Sequence, residues 1–315
     1  MPAGGAGPGN APATVAGSAG GATRGPAGDI TEAAPAKLNL TLHVVGRLAD
    51  GFHRLDGLVA FAAVGDRVTV RPRPAGSGPA VRLTGPFAGA LEGEPDNLVV
   101  RAAVALAEAL QRPGDLELTL EKDLPIASGI GGGSADAAAT LRAVARLWEV
   151  PPEHPVLART AAGLGADVPM CLAGRTAWIA GTGTVDAPGP DLTGIPVVLV
   201  NPGVPLSTPE VFRARHGPFS EANRFDLADG TKPETLAAAV AARRNDLTDA
   251  AIRLVPAIAA VLEALGAAPG CLLARMSGSG ATCFGLFETA AEADAAATAV
   301  AAAEPGWWVR ATTLL

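Results

Sequence analysis

Residues 116–148 read LELTLEKDLPIASGIGGGSADAAATLRAVARLW, and this stretch decides the fold. Leu116, Leu118 and Leu120 alternate with Glu117, Thr119 and Glu121, the spacing of a half-buried strand. Leu141, Val144, Ala145 and Trp148 then share one face at helical spacing. Between strand and helix lies Pro125 to Ser134, with glycine at 129, 131, 132 and 133. Glycines let successive backbone N–H groups turn to one side without Cβ clashes. A helix start adds unpaired N–H donors and roughly half a positive charge. Together they predict an anion cradle of backbone amides that needs no lysine. Ser134 is the predicted N-cap of the helix, with Asp136 in its first turn.

Two familiar nucleotide patterns fail here. The P-loop needs a lysine directly after its last glycine, and none follows these. The dinucleotide fingerprint GxGxxG sits in a tight turn right after a strand. Here Ser134 stands where its third glycine belongs, and Asp123 to Ser128 separate the loop from its strand. A long, lysine-free phosphate loop fits better; a plain flexible loop is the competing reading.

With 315 residues the chain can hold two domains and a sizeable core. It is 49% hydrophobic and 17% charged, which places it among globular proteins. A net charge of −7 argues against nucleic acid as a partner, since that role calls for a basic face. An anion can still be held by local N–H groups. Cys171, Cys271 and Cys283 form no CxxC pair and no metal spacing, and their apolar neighbours read as buried thiols. A reducing cytoplasm is the expected home. No apolar run reaches the length of a membrane span. Residues 1–29 are mostly glycine, alanine and proline and read as a disordered tail without the pattern of a signal peptide.

Structure is expected from Ile30. Leu38, Leu40, Leu42 and Val44 alternate with Asn39, Thr41 and His43 in a strand ending near Gly46. Asp50-Gly51 is turn chemistry, and strand character resumes from Leu58 to Val70, with another strand at Val81 and Leu83. Asn97 is the predicted N-cap of a helix reaching about Gln111. After Pro151-Pro152 a short helix is expected, then a turn at Leu164 to Pro169 and a strand from Met170 to Ala180. Pro188 to Pro190 is the predicted boundary, giving domains 30–190 and 191–315. The second half reads as a strand at Pro196–Val200, then a polar, proline-containing segment to about Lys232. Helices follow at Glu234–Arg243, Thr248–Leu265 and Ala290–Ala303, with strands at Cys271–Met276, Thr282–Phe287 and Trp307–Thr312. Two α+β domains result.

Lys37 and Asn39 share a strand face, opposite Leu38 and Leu40. That face can be solvated or line a site. Asp167, between Gly165 and Pro169, can be a turn residue or a catalyst. Phe52-His53 pairs an aromatic ring with a donor and acceptor that can grip a flat base. Met276-Ser-Gly-Ser-Gly-Ala-Thr282 is a tight hairpin or a backbone that approaches a ligand closely.

Four such stretches in this order resemble the GHMP kinase superfamily over roughly residues 33–313. PAKLNLTLHVVGRLADGFH (35–53) resembles its first motif, LPIASGIGGGSADAA (124–138) its second, LGADVP (164–169) its acidic segment and MSGSGATCFGLF (276–287) its third. The DGFH ending is similar to the branch acting on a cytidine-diphosphate-linked methylerythritol in the non-mevalonate route to isoprenoids. Homoserine or mevalonate kinases, or a non-catalytic binding protein on the same scaffold, are the alternatives.

The resemblance implies a two-domain α+β fold: an N-terminal mixed sheet/helix domain and a C-terminal ferredoxin-like α/β sandwich. It implies ATP with Mg²⁺ and a cytidine-diphosphate-linked polyol as ligands, no nucleic acid or membrane, and a monomer or weak homodimer. By the same resemblance Lys37 and Asp167 are catalytic, Asp167 as general base. Pro125, Ile126, Ala127, Ser128, Gly129, Ile130, Gly131, Gly132, Gly133, Ser134 and Ala135 wrap the ATP phosphates. Asn39, Phe52, His53, Ser277 and Gly278 bind the substrate. The family's usual tyrosine is Phe52 here, which keeps ring stacking and loses a phenol hydrogen bond.

Overall fold

The computed structural model describes residues 23–24, 28–49, 51–93 and 96–315. Most of the expected tail, residues 1–29, lies outside these. Within it Thr23–Arg24 forms β1, antiparallel to Thr31 and Ile30. The first half continues with β2 (Ile30–Arg47), β3 (His53–Pro72), β4 (Ala80–Thr84), a 3₁₀ turn (Ala88–Leu91), α1 (Leu98–Ala109), β5 (Leu116–Glu121), α2 (Gly132–Leu147), α3 (Pro155–Leu164), α4 (Val168–Ala173), β6 (Ala177–Gly181) and β7 (Thr184–Pro188). The second half runs β8 (Pro196–Asn201), α5 (Thr208–Ala214), α6 (Pro233–Ala241), α7 (Thr248–Leu254), α8 (Ala257–Ala267), β9 (Cys271–Met276), β10 (Cys283–Phe287), α9 (Ala290–Ala303) and β11 (Trp308–Thr313).

β2 and β3 form one long antiparallel hairpin, Arg47 opposite His53 and Ile30 opposite Val70. In its turn Gly51 takes φ +91°, which favours glycine; Asp50 lies outside the described residues. β3 is 20 residues long and serves two more neighbours. Leu55–Val59 pairs with β6, and Arg67–Pro72 pairs with β5, whose other side carries β4 in parallel. The second sheet has the order β11-β8-β10-β9, every pair antiparallel. With helices after its first and third strands, that is the ferredoxin-like sandwich expected from the resemblance.

Three apolar cores result. One lies between the first sheet and helices α1 to α4, where Leu116, Leu118 and Leu120 meet Leu141 and Val144. A second packs α7, α8 and α9 on one face of the second sheet. The third joins the sheets: Leu38, Leu40 and Leu58 meet Val197, Leu199 and Phe284. Burying each such side chain contributes about 1.5–3 kcal/mol. The chain end adds to the joint, because the Leu315 N–H donates to Phe61 C=O of β3.

The sequence and the structure part at several places. Residues 170–180 are not one strand: helix α4 runs to Ala173 before β6 begins. Pro169 sits in the first turn of α4, where its missing N–H costs nothing, and Gly174 stops it at φ +60°. The helix expected over 248–265 is two, α7 and α8, because Pro256 forces Val255 out of helical geometry. Helix α5 lies within the polar, proline-containing segment, for which the sequence suggested no element. Ser134 is not the N-cap of α2: Gly131 takes that place at φ +67° with no side-chain cap, so Asp136 falls beyond the first turn. Asn97 does cap α1, its Oδ1 accepting from the Val99 N–H at 2.9 Å.

Candidate active site

A cleft of about 830 Å³ opens where the glycine loop, β2, α4 and the β9–β10 turn converge. The loop can be that close to its neighbours only because it lacks side chains. A Cβ on Gly129 would lie 2.6 Å from the Gly280 carbonyl oxygen, and one on Gly131 would lie 3.2 Å from Lys37 Cβ. The Lys37 N–H donates to Ile130 C=O at 2.9 Å, which fastens the loop to β2. Helix α2 starts at Gly132, and its first backbone bond runs from Ala135 N–H to Gly131 C=O. The N–H groups of Gly132, Gly133 and Ser134 therefore have no acceptor within the helix. All three residues line the cleft. Pro125 to Gly129 line it as well, whereas Ile130 and Ala135 are buried behind it.

Lys37 Nζ donates to Asp167 Oδ2 at 3.0 Å on the same wall. Asp167 stands at the N-cap of α4 yet makes no capping bond, which leaves its carboxylate to the lysine. Its side chain is 36% exposed against 10% for Lys37, so it is the member open to the cleft. Asn39, two residues along β2, also lines the cleft, and its buried Oδ1 has no partner in the protein.

The third motif does a different job from the one expected of Ser277. Its hydroxyl accepts from the Asn39 N–H at 3.1 Å and donates to Gly129 C=O at 3.2 Å, and the residue is wholly buried. Ser277 pins the loop to β2 from behind rather than facing a ligand. Gly278 does line the cleft, and so does Ser279, hydrogen-bonded to Thr208 at 2.7 Å.

A second lysine cluster lies under the start of α2. Lys122 Nζ donates to Asp66 Oδ2 at 2.5 Å and to Asp136 Oδ2 at 2.7 Å, all three side chains being almost wholly buried. Asp66 Oδ1 accepts the N–H groups of Asp123 and Leu124 at the mouth of the loop. Burial pushes the Asp136 carboxyl up to about 8 against the pull of Lys122, and the Asp66 charge adds to the rise. Burial alone lowers the Lys122 ammonium, but the two carboxylates outweigh it and the net shift is upward. Sequence reasoning missed Lys122 and Asp66, although a signal existed. Lys122 continues the buried stripe Leu116-Leu118-Leu120, and Asp66 shares parity with the buried Val68 and Val70.

Phe52 is two-thirds exposed, and the His53 ring stacks on Phe212 of α5 at 4.9 Å and 22°. Phe212, missed in the polar, proline-containing segment, reaches the cleft wall. Burial, then Arg47 and Arg215, lower the His53 pKa, which favours the neutral ring with one donor and one acceptor nitrogen. Among the described residues no helix is long and apolar enough to cross a membrane.

The comparisons agree with this geometry. The model of the GHMP kinases N terminal domain matches residues 97–175, and that of the GHMP kinases C terminal domain matches residues 229–306. The fold is that of a GHMP kinase, an ATP-using small-molecule phosphotransferase. The 4-diphosphocytidyl-2-C-methyl-D-erythritol kinase of Paramagnetospirillum magneticum is 50% identical, over 90% of this chain and 97% of its own. That of Parvibaculum lavamentivorans is 52% identical over 90% and 97%. A crystal structure of 4-(cytidine 5'-diphospho)-2C-methyl-D-erythritol kinase superposes with TM-score 0.71 at 35% identity, covering 90% of this chain and 98% of that one. The chain belongs to the 4-diphosphocytidyl-2-C-methyl-D-erythritol kinase family. A homoserine kinase from Cytophaga hutchinsonii, TM-score 0.68 at 18% identity over 91% and 95%, shares the fold.

Proposed function

We propose that the chain moves the γ-phosphoryl group of ATP to the C2 hydroxyl of 4-diphosphocytidyl-2-C-methyl-D-erythritol, a step of non-mevalonate isoprenoid biosynthesis. One observation carries the assignment of roles: the Lys37–Asp167 pair, 3.0 Å apart, shares a cleft with the uncapped start of α2. Asp167 takes the hydroxyl proton as the oxygen bonds to the γ-phosphorus and the bond to the β-phosphate oxygen breaks, releasing ADP. Such a base contributes typically about 10²–10⁴-fold. A carboxylate suffices because the transition state is loose, with charge spread over the phosphoryl oxygens. Lys37 orients the Asp167 carboxylate and steadies those oxygens.

The amides from Gly131 to Ser134 hold the triphosphate. Among the described residues no group of three His, Cys, Asp or Glu gathers as a metal cage. Mg²⁺ would be held mainly through the nucleotide's phosphate oxygens and would offset their charge. Asn39 Oδ1 accepts from the substrate. The cytosine ring is held by Phe52, His53 and Phe212, with His53 reading its polar edge. Residues 30–190 and 191–315 are proposed as the two domains, in a monomer or weak homodimer.

The test is ATP consumption with the cytidylyl substrate, homoserine and mevalonate, on wild type and Asp167→Asn. Turnover is expected with the first substrate alone, and Asp167→Asn should remove it. Equal turnover with homoserine would overturn the substrate assignment.

A further inference from the structure

We propose that Arg142 is a positioning residue that sets how the Asp167 carboxylate meets Lys37. It lies on α2, ten residues past Gly132 and so about 15 Å along the helix from the phosphate end. Its guanidinium makes three separate bonds. Nη2 donates to Ala33 C=O at 2.7 Å, and Nε to Glu32 Oε2 at 3.2 Å, both on β2 just upstream of Lys37. Nη1 donates to Cys171 C=O at 3.0 Å, on α4. One planar group thus touches the strand that carries the lysine and the helix that carries the aspartate, from the helix that opens the phosphate cradle.

The bond to Cys171 matters because α4 is only six residues long. A helix of that length does not hold its own orientation. The Cys171 N–H donates to Asp167 C=O at 3.0 Å, closing the first turn on the catalytic residue. Its carbonyl lies in the last turn, where no helical N–H follows to take it. Arg142 supplies that donor. Holding the Cys171 peptide fixes the turn, and the turn aims the Asp167 side chain, which has no capping bond of its own to hold it. Arginine suits the place because its donors form a rigid fork; a lysine has one nitrogen and cannot reach three acceptors in three directions. Arg146, one turn on, approaches Glu32 Oε1 at 2.8 Å but is more than half exposed and, among the described residues, does not bond to α4.

The inference rests on Asp167 as the base, so the experiment separates the two. Arg142→Lys, Arg142→Met, Asp167→Asn, the double variant Arg142→Lys/Asp167→Asn and Arg146→Ala are compared in steady-state kinetics with ATP and the cytidylyl substrate. A misplacement of this kind should lower kcat of Arg142→Lys by roughly 10- to 100-fold. KM for ATP should stay put, because the cradle is untouched, and Arg146→Ala should turn over normally. In the Asp167→Asn background Arg142→Lys should cost nothing further, since it acts through that carboxylate. If Arg142→Met does not fold, Arg142→Lys, which keeps the charge beside Glu32, decides the matter. Normal kcat in Arg142→Lys, a parallel rise in KM for ATP, or losses that multiply in the double variant would each overturn the inference. Full turnover in Asp167→Asn would remove the base assignment and this inference together; an inactive Asp167→Asn beside a normal Arg142→Lys would remove this inference alone.

Discussion

Two lysine–aspartate clusters flank the same glycine turn, and they are built differently. Lys37 meets one carboxylate, Asp167, whose side chain is a third exposed. Lys122 meets two, Asp66 and Asp136, and none of the three reaches water to any useful extent. Removing water strengthens the attraction but also strips the charges of hydration, so a buried cluster adds little net stability while fixing geometry tightly. Partial exposure does the reverse. It leaves Asp167 an oxygen facing the cleft, where a proton can be taken. The comparison teaches that one turn is shared by a sealed cluster that fixes it from below and an open one that presents a carboxylate to the cleft.

The sharpest break of this contrast is Asp167→Asn. Turnover should fall by about 10²-fold or more while ATP affinity and stability hardly change. A parallel loss of stability would show that Asp167 is a structural member after all. Next is Lys122→Met, which removes the buried ammonium that donates to both Asp66 and Asp136 and should cost about 3–5 kcal/mol of stability in urea unfolding. A loss below about 1 kcal/mol, the range of exposed pairs, would erase the distinction between the clusters. Gly132→Val tests how closely the turn sits on the buried cluster, since a Cβ there would lie 3.1 Å from Lys122 Nζ. Losing one charge-assisted amide contact costs about 1.5–3 kcal/mol. ATP affinity measured by calorimetry should drop roughly ten- to hundredfold, and unchanged affinity would count against the cradle.

A pH dependence probes the buried cluster from another side. The folded Asp136 carboxyl titrates near 8, well above an unfolded aspartate. The native state therefore holds a proton that the unfolded chain releases. That contribution is complete below about pH 4 and is lost as pH rises through about 8. Wild type should lose stability relative to Asp136→Asn across this window. Parallel urea-stability curves would mean that Asp136 is ionised in the fold.

What could be read from the sequence depended on whether the signal was local. The glycine loop, the parity of Lys37 and Asn39, the Asn97 cap and strand β9 lie within a few residues of their cues. Lys122 and Asp66 are 56 residues apart, and no local periodicity says that two strands bring them together. Each sat on an apolar stripe where a charge is out of place, which is the cue such pairs leave. Ser277 failed for another reason. Its motif was legible, but whether a small hydroxyl faces a ligand or the backbone behind it depends on how closely two loops approach. Helix α4 was obscured because an apolar run too short to show a period reads equally well as strand.

The core shared by the two sheets has a thermal consequence. Melting either half would bare Leu38, Leu40 and Leu58 or their partners Val197, Leu199 and Phe284 to water. Neither half can then come apart at its own temperature. A scanning calorimeter should record one heat-absorption peak, with van't Hoff and calorimetric enthalpies in agreement.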